Sequence, residues 1–245
     1  MDRLVYVAMS GAKETLRAQA VNNHNLANAS TTGFKADLSA FQTRSVVGDG
    51  LPSRAYAVDS SVGWDSTAGA LEQTGRDLDV AVQGKGWIAV QAPDGTEAYT
   101  RAGDLHVDPS GVLMTGTGHV VLGDSGPVTI PPNTALAVGG DGSISVVPVG
   151  QEAKTMATVA RIKLVNPPDA TLERGEDGLF RTSNGVPAES DATVRLASGV
   201  LETSNVNVAA AMTNMIELAR NYELQVKAIR TAESDAESAT KLLQG

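Results

Sequence analysis

The distribution of proline constrains the fold of this chain more than any other feature. All ten prolines lie between Pro52 and Pro187, so neither terminal segment contains one. Twenty of the 25 glycines fall between Gly63 and Gly199. Proline breaks helices because it has no amide donor, and glycine marks turns. The pattern therefore predicts two terminal helices that flank a turn-rich β region.

The C-terminal segment has the residue spacing of a helix. Its apolar positions step by four and three residues alternately, which is the spacing of a coiled-coil seam. These positions are Val208, Met212, Met215, Ala219, Tyr222, Val226 and Ile229. Asn205 or Asn207 is suited to cap the start, because an asparagine side chain accepts a hydrogen bond from a free helix amide. We expect a helix of about 38 residues, roughly 57 Å long.

The N-terminal segment repeats this spacing with smaller and more polar residues. The corresponding positions are Val5, Met9, Ala12, Leu16, Gln19, Asn23 and Leu26. Asparagines then cluster at Asn22, Asn23, Asn25 and Asn28, although asparagine is a middling helix former. Buried amides at a seam fix the register of a helix, whereas the alternative is an exposed, fraying helix end. Gly33 is suited to stop the helix.

Short β-type runs recur every 8–12 residues or so through the middle of the chain, which is typical of an antiparallel sandwich or barrel. The predicted strands are Leu78–Val82, Trp87–Gln91, Leu105–Val107, Val120–Leu122, Val128–Ile130, Ile144–Val149 and Val159–Val165. Turn sequences such as Asp108-Pro109-Ser110-Gly111 separate them. The sequence therefore predicts a central, antiparallel, all-β domain.

The composition argues against several classes of function. A net charge of −9 disfavours nucleic acid, and the absence of cysteine excludes disulfides and thiolate metal sites. The three histidines, His24, His106 and His119, have no partners at metal-ligand spacing. No apolar run approaches the ~18 residues that span a bilayer. We predict no catalytic site, no cofactor, no metal, no small-molecule substrate and no insertion into a membrane.

Four segments resemble the bacterial flagellar rod and hook protein family. Residues 25–35 read Asn-Leu-Ala-Asn-Ala-Ser-Thr-Thr-Gly-Phe-Lys, which is similar to the amino-terminal signature of the family. Residues 78–87 resemble the strand that enters its β domain, with Trp87 where the family usually has Phe. Residues 99–103 read Tyr-Thr-Arg-Ala-Gly, and residues 199–207 resemble the closing segment. The resemblance covers nearly the whole chain in the order of the family.

The resemblance implies a structural function. Members of the family pair their terminal helices in an inner coiled-coil domain and project a β domain outward. Their subunits stack helically into a hollow axial tube that crosses the periplasm and transmits torque, after export through the flagellar type III apparatus. The implied partners are copies of this chain, other flagellar rod proteins and that export apparatus, and the implied location is the basal-body rod. The opening residues and the modest length resemble a proximal-rod member.

The predicted organisation has three parts. Residues 1–33 and 204–245 form the helical domain, residues 34–76 and 186–203 an extended connecting region, and residues 77–185 the β domain. In an isolated monomer we expect roughly residues 1–35 and 204–245 to be sensitive to proteases. The predicted assembly interface comprises Leu16, Asn22, Asn23, Asn25, Leu26, Asn28, Gly33, Phe34, Asn205, Asn207, Val208, Met212, Met215, Tyr222, Val226 and Ile229.

Other functions remain open at this point. A distal-rod or hook-family axial subunit has the same organisation. A secreted β-rich binding module explains the middle of the chain but leaves the two proline-free ends unexplained. A hydrolase requires a set of polar residues at suitable spacing, and the sequence does not supply one.

Overall fold

The structure is a computed structural model, and it describes residues 2–45, 55–148 and 156–244. The chain divides into two compact units. The helical unit comprises Met1–Ala29, Ala36–Asp65 and Val206–Gly245, and the β unit comprises Ser30–Lys35 and Ser66–Asn205. The prediction of two terminal helices and a largely antiparallel β domain is confirmed.

The helical unit contains two long helices and a β-hairpin. Its elements are α1 (Asp2–Ala27), β1 (Asp37–Ser45), β2 (Ala55–Trp64) and α2 (Val208–Gln244). Strand β1 pairs with β2 in antiparallel fashion, and both strands contact α1. Helix α2 begins where Asn207 caps it, because the Asn207 Oδ1 accepts a hydrogen bond of 3.0 Å from the Ala210 amide.

The two helices contact each other and run antiparallel. The Asn22 side chain reaches the Ala211 carbonyl, and Gly11 lies against Gln225, so that α2 runs backward as α1 runs forward. Small side chains permit this close approach, because they occupy little space between the two helix backbones. The buried alanines of the two helices are Ala8, Ala12, Ala18, Ala211 and Ala232.

The β unit consists of short strands whose described pairings are all antiparallel. They are β3 (Leu71–Gln73), β4 (Val80–Gln83), β5 (Trp87–Gln91), β6 (Glu97–Thr100), β7 (Leu105–Val107), β8 (Leu113–Thr115), β9 (Val120–Gly123), β10 (Gly126–Pro127), β11 (Asn133–Val138), β12 (Ser143–Pro148), β13 (Ala157–Arg161), β14 (Leu164–Val165), β15 (Leu172–Arg174), β16 (Phe180–Thr182), β17 (Arg195–Ser198) and β18 (Val200–Glu202). A single 3-10 turn spans Asp169–Thr171 in the described part of the unit.

The largest sheet has the order β15-β16-β6-β5-β9-β8-β7, with β10 beside β9 and β14 beside β5. Strands β11, β12 and β13 form a second sheet. The first strands of the unit pair with its last strands, since β4 pairs with β17 and β3 with β18. The two ends of the β unit are therefore joined by hydrogen bonds.

Two strand predictions were wrong in detail. The predicted strand Val159–Val165 is two strands, because β13 pairs within the second sheet whereas β14 pairs with β5 in the largest sheet. The chain changes sheets at the two residues in between. The predicted strand Val128–Ile130 is an irregular segment in which Thr129 makes an isolated bridge to Val112, although Val128 and Ile130 are buried in the core.

Candidate assembly surface and buried ring

Large apolar side chains are exposed on both helices of the helical unit. On α1 these residues are Tyr6 (63 % exposed), Met9 (54 %) and Leu16 (48 %). On α2 they are Val208 (41 %), Met212 (52 %), Ile216 (55 %) and Leu224 (63 %). We call these seven residues the exposed helix surface. Exposed apolar side chains that recur along a helix mark a surface suited to binding another protein.

The predicted C-terminal seam and the stripe of low exposure on α2 are related by a small rotation of the helix. Met215, Tyr222 and Ile229 belong to both, whereas Val208 and Met212 are exposed. The stripe itself also steps by four and three residues: Ala211, Met215, Leu218, Tyr222, Gln225, Ile229 and Ala232. Ala211 of this stripe accepts the hydrogen bond from Asn22 of α1, whereas the bulkier Val208 and Met212 are exposed.

Three of the clustered asparagines make hydrogen bonds within the helical unit. The Asn22 Nδ2 donates to the Ala211 carbonyl at 2.8 Å. The Asn25 Nδ2 donates to the Asp37 carbonyl at 2.9 Å, and the Asn25 Oδ1 accepts from the Asp37 amide at 2.8 Å. The Asn28 Nδ2 donates to the His24 carbonyl at 2.9 Å. Asn23 is exposed. The Asn22 and Asn25 amides therefore tie α1 to α2 and to β1 within one chain, whereas the Asn28 bond is local to the end of α1.

The remaining predicted interface residues fall into two groups. Leu26 and Val226 are half-buried in the helical unit. Gly33 and Phe34 are buried in the β unit, where the Phe34 carbonyl accepts a hydrogen bond of 3.3 Å from the Asn205 amide. The Asn205 Nδ2 donates to the Thr67 carbonyl at 3.1 Å.

A buried ionic cluster lies within the β unit. The Glu202 Oε1 lies 2.6 Å from the Lys35 Nζ, and the Glu202 Oε2 lies 2.9 Å from the Arg101 Nη1. The Lys35 and Glu202 side chains are each 1 % exposed and that of Arg101 is 5 % exposed. Because buried ions are tolerated only when they are paired and hydrogen-bonded, each contact in this cluster matters to the fold.

Backbone groups complete the ionic cluster. The Lys35 Nζ donates to the Thr67 carbonyl at 2.8 Å, and the Glu202 Oε1 accepts from the Gly69 amide at 3.0 Å. The Arg101 guanidinium donates to the carbonyls of Val82 and Gly84 at 3.3 and 2.6 Å. The charges are thus distributed over several neutral groups, which is the arrangement that stabilises a buried ion pair.

Aromatic contacts join this cluster into a closed ring. The Arg101 Cζ lies 5.4 Å from the Trp87 ring centroid, and the Trp87 and Phe180 centroids are 4.5 Å apart. The Arg174 Cζ lies 5.0 Å from the Phe180 centroid and 4.4 Å from that of Phe34. Phe34 is the neighbour of Lys35 in the sequence, so this series of contacts closes into a ring. We call Phe34, Lys35, Trp87, Arg101, Arg174, Phe180 and Glu202 the buried ring; all are buried except Arg174, which is half-buried.

The buried ring brings together all four segments that resemble the flagellar family. Phe34 and Lys35 end the first segment, Trp87 ends the second, Arg101 lies in the third, and Glu202 lies in the fourth. Gly33 has a φ of +67°, and a Cβ there would overlap the Arg101 carbonyl carbon. Only glycine fits this approach.

Lys35, Arg101 and Glu202 lie within the family-like segments but had no predicted role, and Arg174 lies outside those segments. The available signal was the presence of single charges inside otherwise apolar or small-residue motifs. Tyr99, in the third segment, is also buried, and this burial raises the pKa of Tyr99 to about 12. Its hydroxyl therefore stays neutral while it donates to Glu97 and accepts from the Ala188 amide.

The described residues contain no cluster of three or more His, Asp or Glu side chains arranged to hold a metal ion. The helices in the same ranges include none that is long and apolar enough to cross a bilayer. The fold and its surfaces define a class of protein. It is a subunit with a β domain and two terminal helices that carry exposed apolar side chains.

Comparisons with known proteins identify the family. Residues 5–35 match the model described as flagella basal body rod protein, residues 81–146 the flagellar hook protein FlgE/F/G D1 domain, and residues 197–242 the flagellar basal body rod FlgEFG protein C-terminal. The chain belongs to the flagellar basal-body rod protein family.

Similarity to individual relatives extends over whole chains. The chain is 45 % identical to the flagellar basal-body rod protein FlgF of Escherichia coli strain K12 and 44 % identical to FlgF of Salmonella typhimurium, in each case over 99 % of both chains. It is 33 % identical to FlgG of Buchnera aphidicola subsp. Schizaphis graminum, over 94 % of this chain and 97 % of that one. These relatives confirm the prediction of a structural rod protein that is not an enzyme.

Proposed function

We propose that this chain is a structural subunit of the proximal part of the flagellar basal-body rod. It assembles there with copies of itself and with other rod proteins into the axial shaft that crosses the periplasm and transmits torque. The identities of 45 and 44 % to FlgF of Escherichia coli and Salmonella typhimurium, over 99 % of both chains, support the proximal assignment. A distal-rod or hook-family role is the alternative within the family.

The observation that carries this proposal is the exposed helix surface. Burial of apolar area is favourable by roughly 25 cal/mol per Å², so side chains such as Met212 and Ile216 favour a helix packed against them. Contacts of one surface with a different surface of the next copy generate an open helical filament when the rotation does not close. We propose that α1 and α2 pack against neighbouring subunits in coiled-coil fashion.

We also propose that the flagellar type III apparatus exports the chain, as the family resemblance implies. A secreted binding module is a weaker alternative, because the terminal segments at residues 5–35 and 197–242 match rod-protein models. Such a module would need no helices with exposed apolar side chains.

A pair of adjacent substitutions tests the assembly role. Met212 and Thr213 are both exposed on α2, and about 100° separates neighbouring side chains around a helix. We expect Met212→Asp to abolish swimming and incorporation into the basal body, because a carboxylate would be buried without a partner. Thr213→Asp serves as the matched control and retains swimming.

Circular dichroism of both purified variants establishes that each is folded. Swimming at the wild-type level by cells that carry Met212→Asp, in a strain deleted for its own copy of this gene, would exclude the exposed helix surface as an assembly interface.

A further inference from the structure

The buried ring contains residues from the two extremes of the β unit. Lys35 and Glu202 are 167 residues apart in sequence, and Arg101 and Glu202 are 101 apart. We propose that Glu202 is a closing latch, which completes the β unit only when both ends of its chain have docked. It is the last ring residue along the sequence.

The charge balance of the ionic cluster is the first support for the latch. Among the contacts described there, two cations, Lys35 and Arg101, meet one carboxylate, that of Glu202. Without Glu202, the buried Lys35 and Arg101 would lose the carboxylate that pairs with both of them. Removal of one partner from a buried ion pair is strongly destabilising because it leaves such an uncompensated charge. Burial of Lys35 and Arg101 therefore depends on Glu202.

The backbone of the same residue provides the second support. The Glu202 carbonyl accepts a hydrogen bond of 2.8 Å from the Gly33 amide, so both its main chain and its side chain hold residues 33–35. Strand β18, which ends at Glu202, pairs with β3. A neighbouring hydrogen bond of 2.8 Å runs from the Thr203 amide to the Ala70 carbonyl. The closing segment thus ties residues 33–35 to residues 69–73.

The position of the latch has a consequence for assembly, which rests on the proposed function. Helix α2 begins at Val208, six residues after Glu202. A chain that stops before Glu202 lacks both the latch and α2, and its β unit stays incomplete. Completion of the β unit therefore requires the chain up to Glu202, six residues before the helix that the rod requires.

Charge-matched variants of the full-length chain test the latch. Trp64→Phe leaves Trp87, which is 3 % exposed, as the fluorescent reporter of the β unit. In this background we expect Glu202→Gln to lower the folding equilibrium constant of the β unit by roughly 100-fold or more. The double variant Lys35→Met with Glu202→Gln has the same net cluster charge as the wild type. We expect it to regain most of this loss.

Two results would overturn the latch on stability grounds. One is a Glu202→Gln variant as stable as the wild type. The other is a double variant no more stable than Glu202→Gln while Lys35→Met alone is folded, since this would show that charge is not the cause. If Glu202→Gln alone does not fold at all, a double variant that folds supports the proposal. A double variant that does not fold, while Lys35→Met alone does, contradicts it.

Folding kinetics test the order of events. A contact made last changes the unfolding rate and leaves the folding rate nearly unchanged. We therefore expect the substitution to accelerate unfolding, and a folding rate slowed by the full equilibrium factor would overturn the latch. A variant with a wild-type β unit that fails to enter the rod would bear on the proposed function and leave this inference intact.

Discussion

Asn25 offers the sharpest test of how the helical unit is held together. Its amide makes two hydrogen bonds to the backbone of Asp37, at 2.9 and 2.8 Å, in the manner of a paired β-strand. Asn25→Ala removes both bonds and leaves the course of the backbone unchanged. Asn23, two residues earlier on the same helix, is exposed and provides the matched control.

The two substitutions have opposite expected effects on the free energy of unfolding. Each lost hydrogen bond costs about 0.5–1.5 kcal/mol. Replacement of asparagine by alanine within a helix returns about 0.6 kcal/mol, because alanine is the better helix former. We therefore expect Asn25→Ala to destabilise the helical unit by about 1–2 kcal/mol. Asn23→Ala should stabilise it by about 0.5 kcal/mol.

Urea unfolding followed by far-ultraviolet circular dichroism measures this difference. The α-helical signal reports the helical unit, because the described part of the β unit has only a three-residue 3-10 turn. The comparison is made at equal protein concentration, so that self-association does not enter. An Asn25→Ala variant as stable as Asn23→Ala would refute the role of Asn25 and support the alternative of a fraying helix end.

Two further predictions concern the β unit. Burial, with the nearby charge of Asp79 adding to it, raises the pKa of Asp104, so the charged form destabilises the fold at neutral pH. We expect Asp104→Asn to raise the melting temperature at pH 7. The gain should disappear as the pH falls below the usual carboxyl range, because Asp104 is then protonated in both the folded and the unfolded state. An equal gain at every pH would contradict this. In hydrogen exchange of dilute monomer, residues 30–35 should be protected like the β core and residues 2–27 less so. Exchange of residues 30–35 as fast as that of α1 would favour the sequence-based boundary at residue 34.

The sequence predicted where the helices lie better than it predicted which face of each helix is buried. Both helices and several central strands, such as β4, β5 and β12, follow from local signals, since proline is excluded from the ends and turn residues punctuate the middle. The β1–β2 hairpin and the strands that close the β unit, β17 and β18, were not predicted. The buried face of α2 did not follow, because four-three spacing does not distinguish a partner within the chain from a partner outside it. Ala211 is buried, whereas its neighbour Met212 is 52 % exposed, although the Met212 side chain has the larger apolar area.

The buried ring could not be predicted for a different reason. Lys35, Arg101 and Glu202 belong to segments that resemble the flagellar family, but no periodicity connects residues separated by more than 60 positions. Their proximity depends on the pairing of β3 with β18 and of β4 with β17. Such long-range pairings are a property of the complete fold.

The two units assign their apolar side chains in opposite ways, and this difference matters for assembly. The β unit buries many large residues in an internal core, including Trp87, Ile88 and Phe180, although Leu71 and Val186 are exposed. The helical unit buries alanines such as Ala211 and leaves Met212, Ile216 and Leu224 exposed. A helix pair that buried its largest residues internally would gain stability as a monomer and lose the apolar area that favours contact with neighbours. Weak internal packing of the helices is therefore what a subunit needs if its helices are to be completed by assembly.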